Sequence, residues 1–209
     1  MRIISEEKLN TNYLRFVKAL ERFNCYSEKL MEEYGERIKE APYFMSESYG
    51  GCYKGALIDV TLNILCKIGV LLNRNVLGMD ENGNIRFNNL CVNENMLMRV
   101  LLLTNISKAV MFVVNSNDWK RNNGFPYEFN QYLDSNLKMG ERCVYMCQKY
   151  GIPLAEEEFE AILSSDKDDD YGDRFKSPIC AIVNSARTLT AVELRQQYIQ
   201  STRPVAKEE

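Results

Sequence analysis

The chain has 209 residues, of which 45% are hydrophobic and 26% charged, with a formal net charge of −3 and a sequence pI near 5.3; this length and apolar content suffice for one domain with a substantial core. The charge supplies no basic field for a polyphosphate backbone, so nucleic acid is not an expected partner. Histidine is absent altogether. With it go Ser-His-Asp and Cys-His triads, HExxH zinc sites and His-Asp metal clusters, because histidine is the commonest metal ligand and the usual acid-base group at neutral pH.

The opening residues, Met1 to Glu7, do not have the pattern of a signal peptide. Seven cysteines (Cys25, Cys52, Cys66, Cys91, Cys143, Cys147 and Cys180), an odd number without a CxxC pair, are expected to be reduced thiols in a cytoplasmic protein. Residues 5–40 read as helix with a break near Asn24, carrying an apolar stripe of Tyr13, Phe16, Val17 and Leu20 and then of Leu30, Met31, Tyr34 and Ile38. Pro42 ends it, since the residue before proline is pushed out of the helical region. After a glycine-containing loop over 46–55, a helix runs from about Gly55 to Leu72. Asp59, Asn63 and Lys67 recur at a four-residue spacing on one face of it, which marks a buried helix of a globular protein rather than a membrane span.

Residues 73–90 are turn-rich, with Asn82-Gly83 suited to a hairpin. Asn93 caps a strongly apolar helix expected to reach about Asn115, with Leu97, Val100, Leu101, Leu103, Ile106, Val110 and Val114 at the centre of the core. Trp119 to Asp134 reads as an irregular loop with a short strand pair. Helices follow over about 138–150, 154–164 and 178–199, the last with Ser177 as its cap and Pro178 at its first position. The expectation is an all-α orthogonal helical bundle with one or two minor β-hairpins, a single domain over residues 1–200 (5–40 an N-terminal helical segment, 41–190 the core), and a tail over 201–209.

Motifs that carry chemistry are sparse. Cys143 and Cys147 share a helix face, but tetrahedral zinc needs a second pair that the sequence lacks, so they read as core. The acidic run Asp166 to Asp173 has its glycine one place late for an EF-hand, and Ser177 stands where such a loop needs a bidentate glutamate; it reads as a solvated loop. No GxxxxGK[ST], GxGxxG or GxSxG sequence occurs. Aromatics cluster outside the helical periodicity at Trp119, Phe125, Tyr127, Phe129 and Tyr132. Together with Leu194, Tyr198 and Ile199 of the last helix they are the expected contact surface, since aromatics supply large contact area with a polar handle.

Three segments resemble, in order, those of the small HD-domain (His-Asp phosphohydrolase-like) proteins of bacteria and phages. Ala41-Pro42, Ser46 and Tyr53-Lys54-Gly55-Ala56-Leu57 with Thr61-Leu62 resemble the family's stretch of Ala-Pro, Ser, a His pair, Gly-Gly-Leu and His-Ser-Leu. Leu102-Leu103-Thr104-Asn105-Ile106-Ser107-Lys108 resembles its Leu-Leu-His-Asp-Ile-x-Lys helix, and Gly140-Glu141-Arg142-Cys143-Val144-Tyr145 its Gly-His-Gly-Glu-Lys-Ser-Val motif. The resemblance implies the HD helical fold. It also implies that the family's metal-holding pair has become Thr104-Asn105, that its histidine positions have become Gly50 or Gly51, Val60, Met139 and Ser165, and that its late aspartate has become Ser185 or Ala186. Lys108, which the family aims at phosphate, reads as a lysine reaching solvent from the helix end.

A scaffold that has lost every ligand implies a non-catalytic protein without metal or cofactor. Its expected partners are other proteins or itself, most concretely in a phage virion or assembly, in the host cytoplasm or the virion, and without membrane. Two rival readings are a residual nucleotide-binding protein or phosphohydrolase using the carboxylates Asp59, Glu141 and Asp166, and a regulatory partner of an active HD enzyme.

Overall fold

A computed structural model describes residues 3–73, 78–79, 84–87, 90–164 and 177–202. It is mostly helical, 67% helix against 5% strand, with the strands confined to small antiparallel sheets.

Local chemistry sets the first boundaries. Helix α1 (Glu6–Arg22) starts where the Ser5 hydroxyl accepts from the Lys8 amide, and α2 (Glu28–Glu40) where Ser27 accepts from Leu30, each serine satisfying a donor that has no partner within the helix. Between them Asn24 takes a left-handed φ of 53°, a conformation asparagine tolerates better than most residues. Ala41, ahead of Pro42, is extended and closes α2. Helix α3 (Ala56–Asn73) follows. Strands β1 (Gly78–Met79), β2 (Asn84–Phe87) and β3 (Leu90–Asn93) form an antiparallel sheet with Ile85 opposite Val92; the Asn82-Gly83 turn lies outside the described residues.

Asn93 ends β3 and caps α4 (Glu94–Leu103), its side chain accepting from the Met96 amide. Every residue from Leu97 to Leu103 is buried. The expected single helix to Asn115 does not form. Thr104 bonds its hydroxyl back to the Val100 carbonyl, and the chain tightens into three-residue turns from Leu103 to Ser107. A run of Thr, Asn and Ser supplies side chains that compete for the backbone and favours such a break. After the one-turn α5 (Lys108–Met111), Phe112–Val114 become strand β4, and Val114, expected in the core, is 65% exposed. Adjacent β-branched valines fit an extended backbone better than a helical one.

The segment after β4 holds the short α6 (Asp118–Asn122) and β5 (Tyr127–Phe129), which pairs antiparallel with β4, Phe112 opposite Phe129. Helices α7 (Met139–Lys149), α8 (Glu156–Ser164) and α9 (Pro178–Thr202) complete the fold. Ser177 accepts from the Cys180 amide as the cap of α9, which runs past 199 and takes in the first two residues of the expected tail. Residues of α1 to α4 and α7 to α9 share one continuous core, with Leu57, Ile58, Leu97, Leu102, Leu103 and Ile162 among its most enclosed members.

One polar device crosses this core. Arg99 of α4 donates through Nε to Glu158 of α8 at 2.6 Å, through Nη1 to the Phe23 and Asn24 carbonyls and through Nη2 to Pro153 O at 2.5 Å. The second oxygen of Glu158 accepts from the Ala155 amide at 2.9 Å. Among the described residues, no helix is long and apolar enough to cross a membrane. Cys25, Cys52, Cys66, Cys147 and Cys180 are free thiols, and the Cys143 thiol donates to the Leu103 carbonyl at 2.8 Å.

Candidate functional site

The described positions that the resemblance equates with HD ligands lie on five parts of the fold: the loop before α3, α3, the end of α4, the start of α7, and α9. Val60 in α3 is 2% exposed, and Thr104 and Asn105, at the end of α4, are 1% and 2% exposed. Asn105 Oδ1 accepts from Arg187 Nη2 of α9 at 3.5 Å. Ser107 ties the same turn to α7, its hydroxyl donating to the Met139 carbonyl at 3.0 Å. Met139 itself is half-buried and borders a surface groove, so it does not join Val60 and Thr104 in a closed core. Ser185 is exposed and Ala186 half-buried, while Ser165 lies outside the described residues.

Gly50 and Gly51 are engaged elsewhere. Gly50 has a φ of 86°, and a Cβ there would collide with the backbone carbonyl of Leu194; Gly51 is wedged between Tyr43 and Leu194. The glycine pair is therefore explained by close approach of the 46–51 loop to α9. Leu194, expected on the contact surface, is 6% exposed and forms part of the core instead. Gly50 and Tyr198 both line a polar cavity of about 780 Å³ between this loop and the end of α9.

Lys108 departs furthest from expectation. It is 3% exposed rather than solvated; its ammonium donates to the Tyr43 carbonyl at 2.9 Å and sits 3.5 Å from the centroid of the Tyr43 ring. Ring quadrupole and carbonyl together replace water around the charge. The two rival carboxylates within the described residues also have structural partners. Asp59 accepts from Tyr53 Oη at 2.6 Å and Asn12 Nδ2 at 3.0 Å, and Glu141 accepts from the Lys138 amide at 2.9 Å at the start of α7; Asp166 lies outside. Among the described residues, no three or more Cys, Asp or Glu side chains gather as a metal-holding group.

The aromatic segment is largely outside the core. Trp119 is 70% exposed, Tyr132 94%, and Phe125 and Phe129 50% each, beside the exposed Val114. Phe129 leans edge-on against Phe112 with ring centroids 5.4 Å apart. Tyr127 is half-buried, and that burial raises its hydroxyl pKa above the ordinary value. Tyr198 is half-buried and Ile199 exposed. Sequence reasoning missed the Arg99–Glu158 device, although an arginine in an otherwise apolar stretch of helix is a visible signal that a buried partner is needed. Comparison with protein-family models, with curated proteins and with solved structures found no match to this chain.

Proposed function

We infer that the protein acts by contact with other proteins and not by catalysis, through the face formed by β4, α6, β5 and the following loop. The observation that carries this reading is the exposure of Trp119, Phe125, Phe129 and Tyr132 on one continuous stretch of chain. Burying such side chains against a partner supplies most of the energy of an interface, because large rigid aromatics lose little entropy for the area they cover. The burial of Val60, Thr104 and Asn105 supports the non-catalytic part, as these positions correspond to ligands in the resembled family. That resemblance alone supports the more concrete form, a component of a phage particle or its assembly.

The test is a Trp119→Ser, Tyr132→Ser double variant. Neither ring has a contact that holds the core together, so melting temperature should stay within about 2 °C of the parent. Tagged parent protein retained from its native source should co-purify with one or a few proteins identified by mass spectrometry, and the double variant should lose them. Equal retention by both overturns the assignment of this face.

A further inference from the structure

A groove of about 610 Å³ opens between Met111, the end of β5 at Phe129, the loop that follows and the first turn of α7. Leu133, Leu137 and Met139 give it apolar wall, and Gln131, Ser135 and Asn136 give it polar wall. Its charged members are Lys138 and Arg142, and no lining residue carries a carboxylate. Arg142 is 8% exposed; its Nη2 donates to Ser135 O at 2.7 Å and to Ser135 Oγ at 3.2 Å, while its Nε is buried with no acceptor. A buried N–H without a partner is uncommon enough in folded proteins to require an explanation. The Nε–Nη2 edge of a guanidinium is the edge that a carboxylate grips with two parallel hydrogen bonds. Here Nε is vacant, and Nη2 is shared between the Ser135 carbonyl at 2.7 Å and the Ser135 hydroxyl at 3.2 Å. The start of α7 also faces the groove, but there the Glu141 carboxylate accepts from the Lys138 amide and offsets the partial positive charge of the helix N-terminus, which leaves Arg142 and Lys138 as the groove's positive groups.

We propose that this groove binds the C-terminal carboxylate of a peptide whose last residues are apolar. The carboxylate takes Arg142 Nε and Nη2 and displaces the Ser135 hydroxyl, and the terminal side chain lies among Met111, Leu133, Leu137 and Met139. Gln131 and Asn136 line the same space and match peptide amides, which a plain hydrocarbon acid lacks. The assignment deepens the contact reading above by naming a partner chemistry; it shares Phe129 and the loop after β5 with that face, but its anchor is Arg142 and not Trp119 or Tyr132. Each assay can therefore fail without the other.

The probes are N-acetyl-Ala-Ala-Leu as the free acid, its C-terminal amide, and octanoate, each titrated into the full chain and followed by amide chemical shifts. The free acid should give saturable shifts at residues 131–142, with the amide about tenfold or more weaker and octanoate no tighter than the amide. Ser135→Ala should bind at least as well as the parent, because it removes the competing hydroxyl, whereas Arg142→Lys should lose most of the preference for acid over amide. If Arg142→Lys fails to fold, the acid-amide comparison on the parent decides. Equal affinity of acid and amide, absence of binding, or octanoate binding more tightly than the peptide would each overturn the proposal.

Discussion

Arg99 and Glu158 are joined at 2.6 Å with side chains 10% and 3% exposed, 59 positions apart in the chain. The guanidinium also holds the α1–α2 turn through Phe23 and Asn24 and the α7–α8 connection through Pro153. Removing one partner leaves a buried charge uncompensated, so Glu158→Gln should lower unfolding free energy by about 3–5 kcal/mol. The double variant Arg99→Met, Glu158→Leu should recover part of that loss. It should not recover all of it, because three backbone carbonyls lose their donor. Urea denaturation of the parent and the two variants measures both statements.

Val60 tests the enclosure of α3. At 2% exposure within the shared core it has no water to solvate a carboxylate, and Val60→Asp should cost on the order of 3 kcal/mol or more. Val60→Ala, which only deletes methyl groups, should cost about 1–3 kcal/mol. A melting curve for Val60→Asp that overlays the parent would place the side chain at the surface.

Gly50 tests the docking of the 46–51 loop on α9. Its positive φ and its contact with the Leu194 carbonyl leave no room for a Cβ, so Gly50→Ala should destabilise by about 1–3 kcal/mol. The same substitution at Gly151, also at positive φ but with open space around it, should cost less. Thermal melts of the two variants side by side separate backbone strain from collision.

Alkaline pH should weaken the fold through its buried thiols. Burial pushes both Cys25 and Cys52 from the ordinary 9.0 to about 12, so the native state keeps them protonated while the unfolded chain ionises. Their contribution is complete below about pH 9 and is lost as pH rises from 9 toward 12. Parent protein should therefore lose more melting temperature between pH 8 and pH 10.5 than a Cys25→Ala, Cys52→Ala variant does. In the native state at pH 8, the exposed Cys66 should react with a thiol reagent while Cys25 and Cys52 react only on unfolding.

What could be read from the sequence was what local chemistry decides. Asn93 and Ser177 mark helix starts by satisfying amides three residues ahead, and Pro42 marks an end, so these boundaries need no knowledge of the rest of the chain. The end of α4 was misread because Ile106, Val110 and Val114 keep a helical spacing, while the Thr-Asn-Ile-Ser turn that breaks it acts through side-chain bonds to the backbone. Lys108 was misread for a different reason. Its cage is built by Tyr43, 65 positions earlier in the chain, and no local pattern announces a contact of that range. At the candidate contact surface, the aromatics of 119–132 stood out by their lack of periodicity, whereas Leu194 belonged to a regular helix whose inward face only tertiary packing defines.

The ribbon of β4 and β5 has a consequence for motion. It is two strands of three residues, a structure too small to be stable by itself, and its principal attachment inward is Phe112, 9% exposed, while Val114 and Phe129 face outward. Opening it breaks a few hydrogen bonds and disturbs little of the core around α4. Amide protons of residues 113–114 and 127–129 should thus exchange with solvent through local openings, at free energies well below that of global unfolding, while those of 98–103 exchange only when the whole protein unfolds. The face that carries the aromatic side chains is accordingly the part of the molecule able to change shape against a partner at little cost to the remainder.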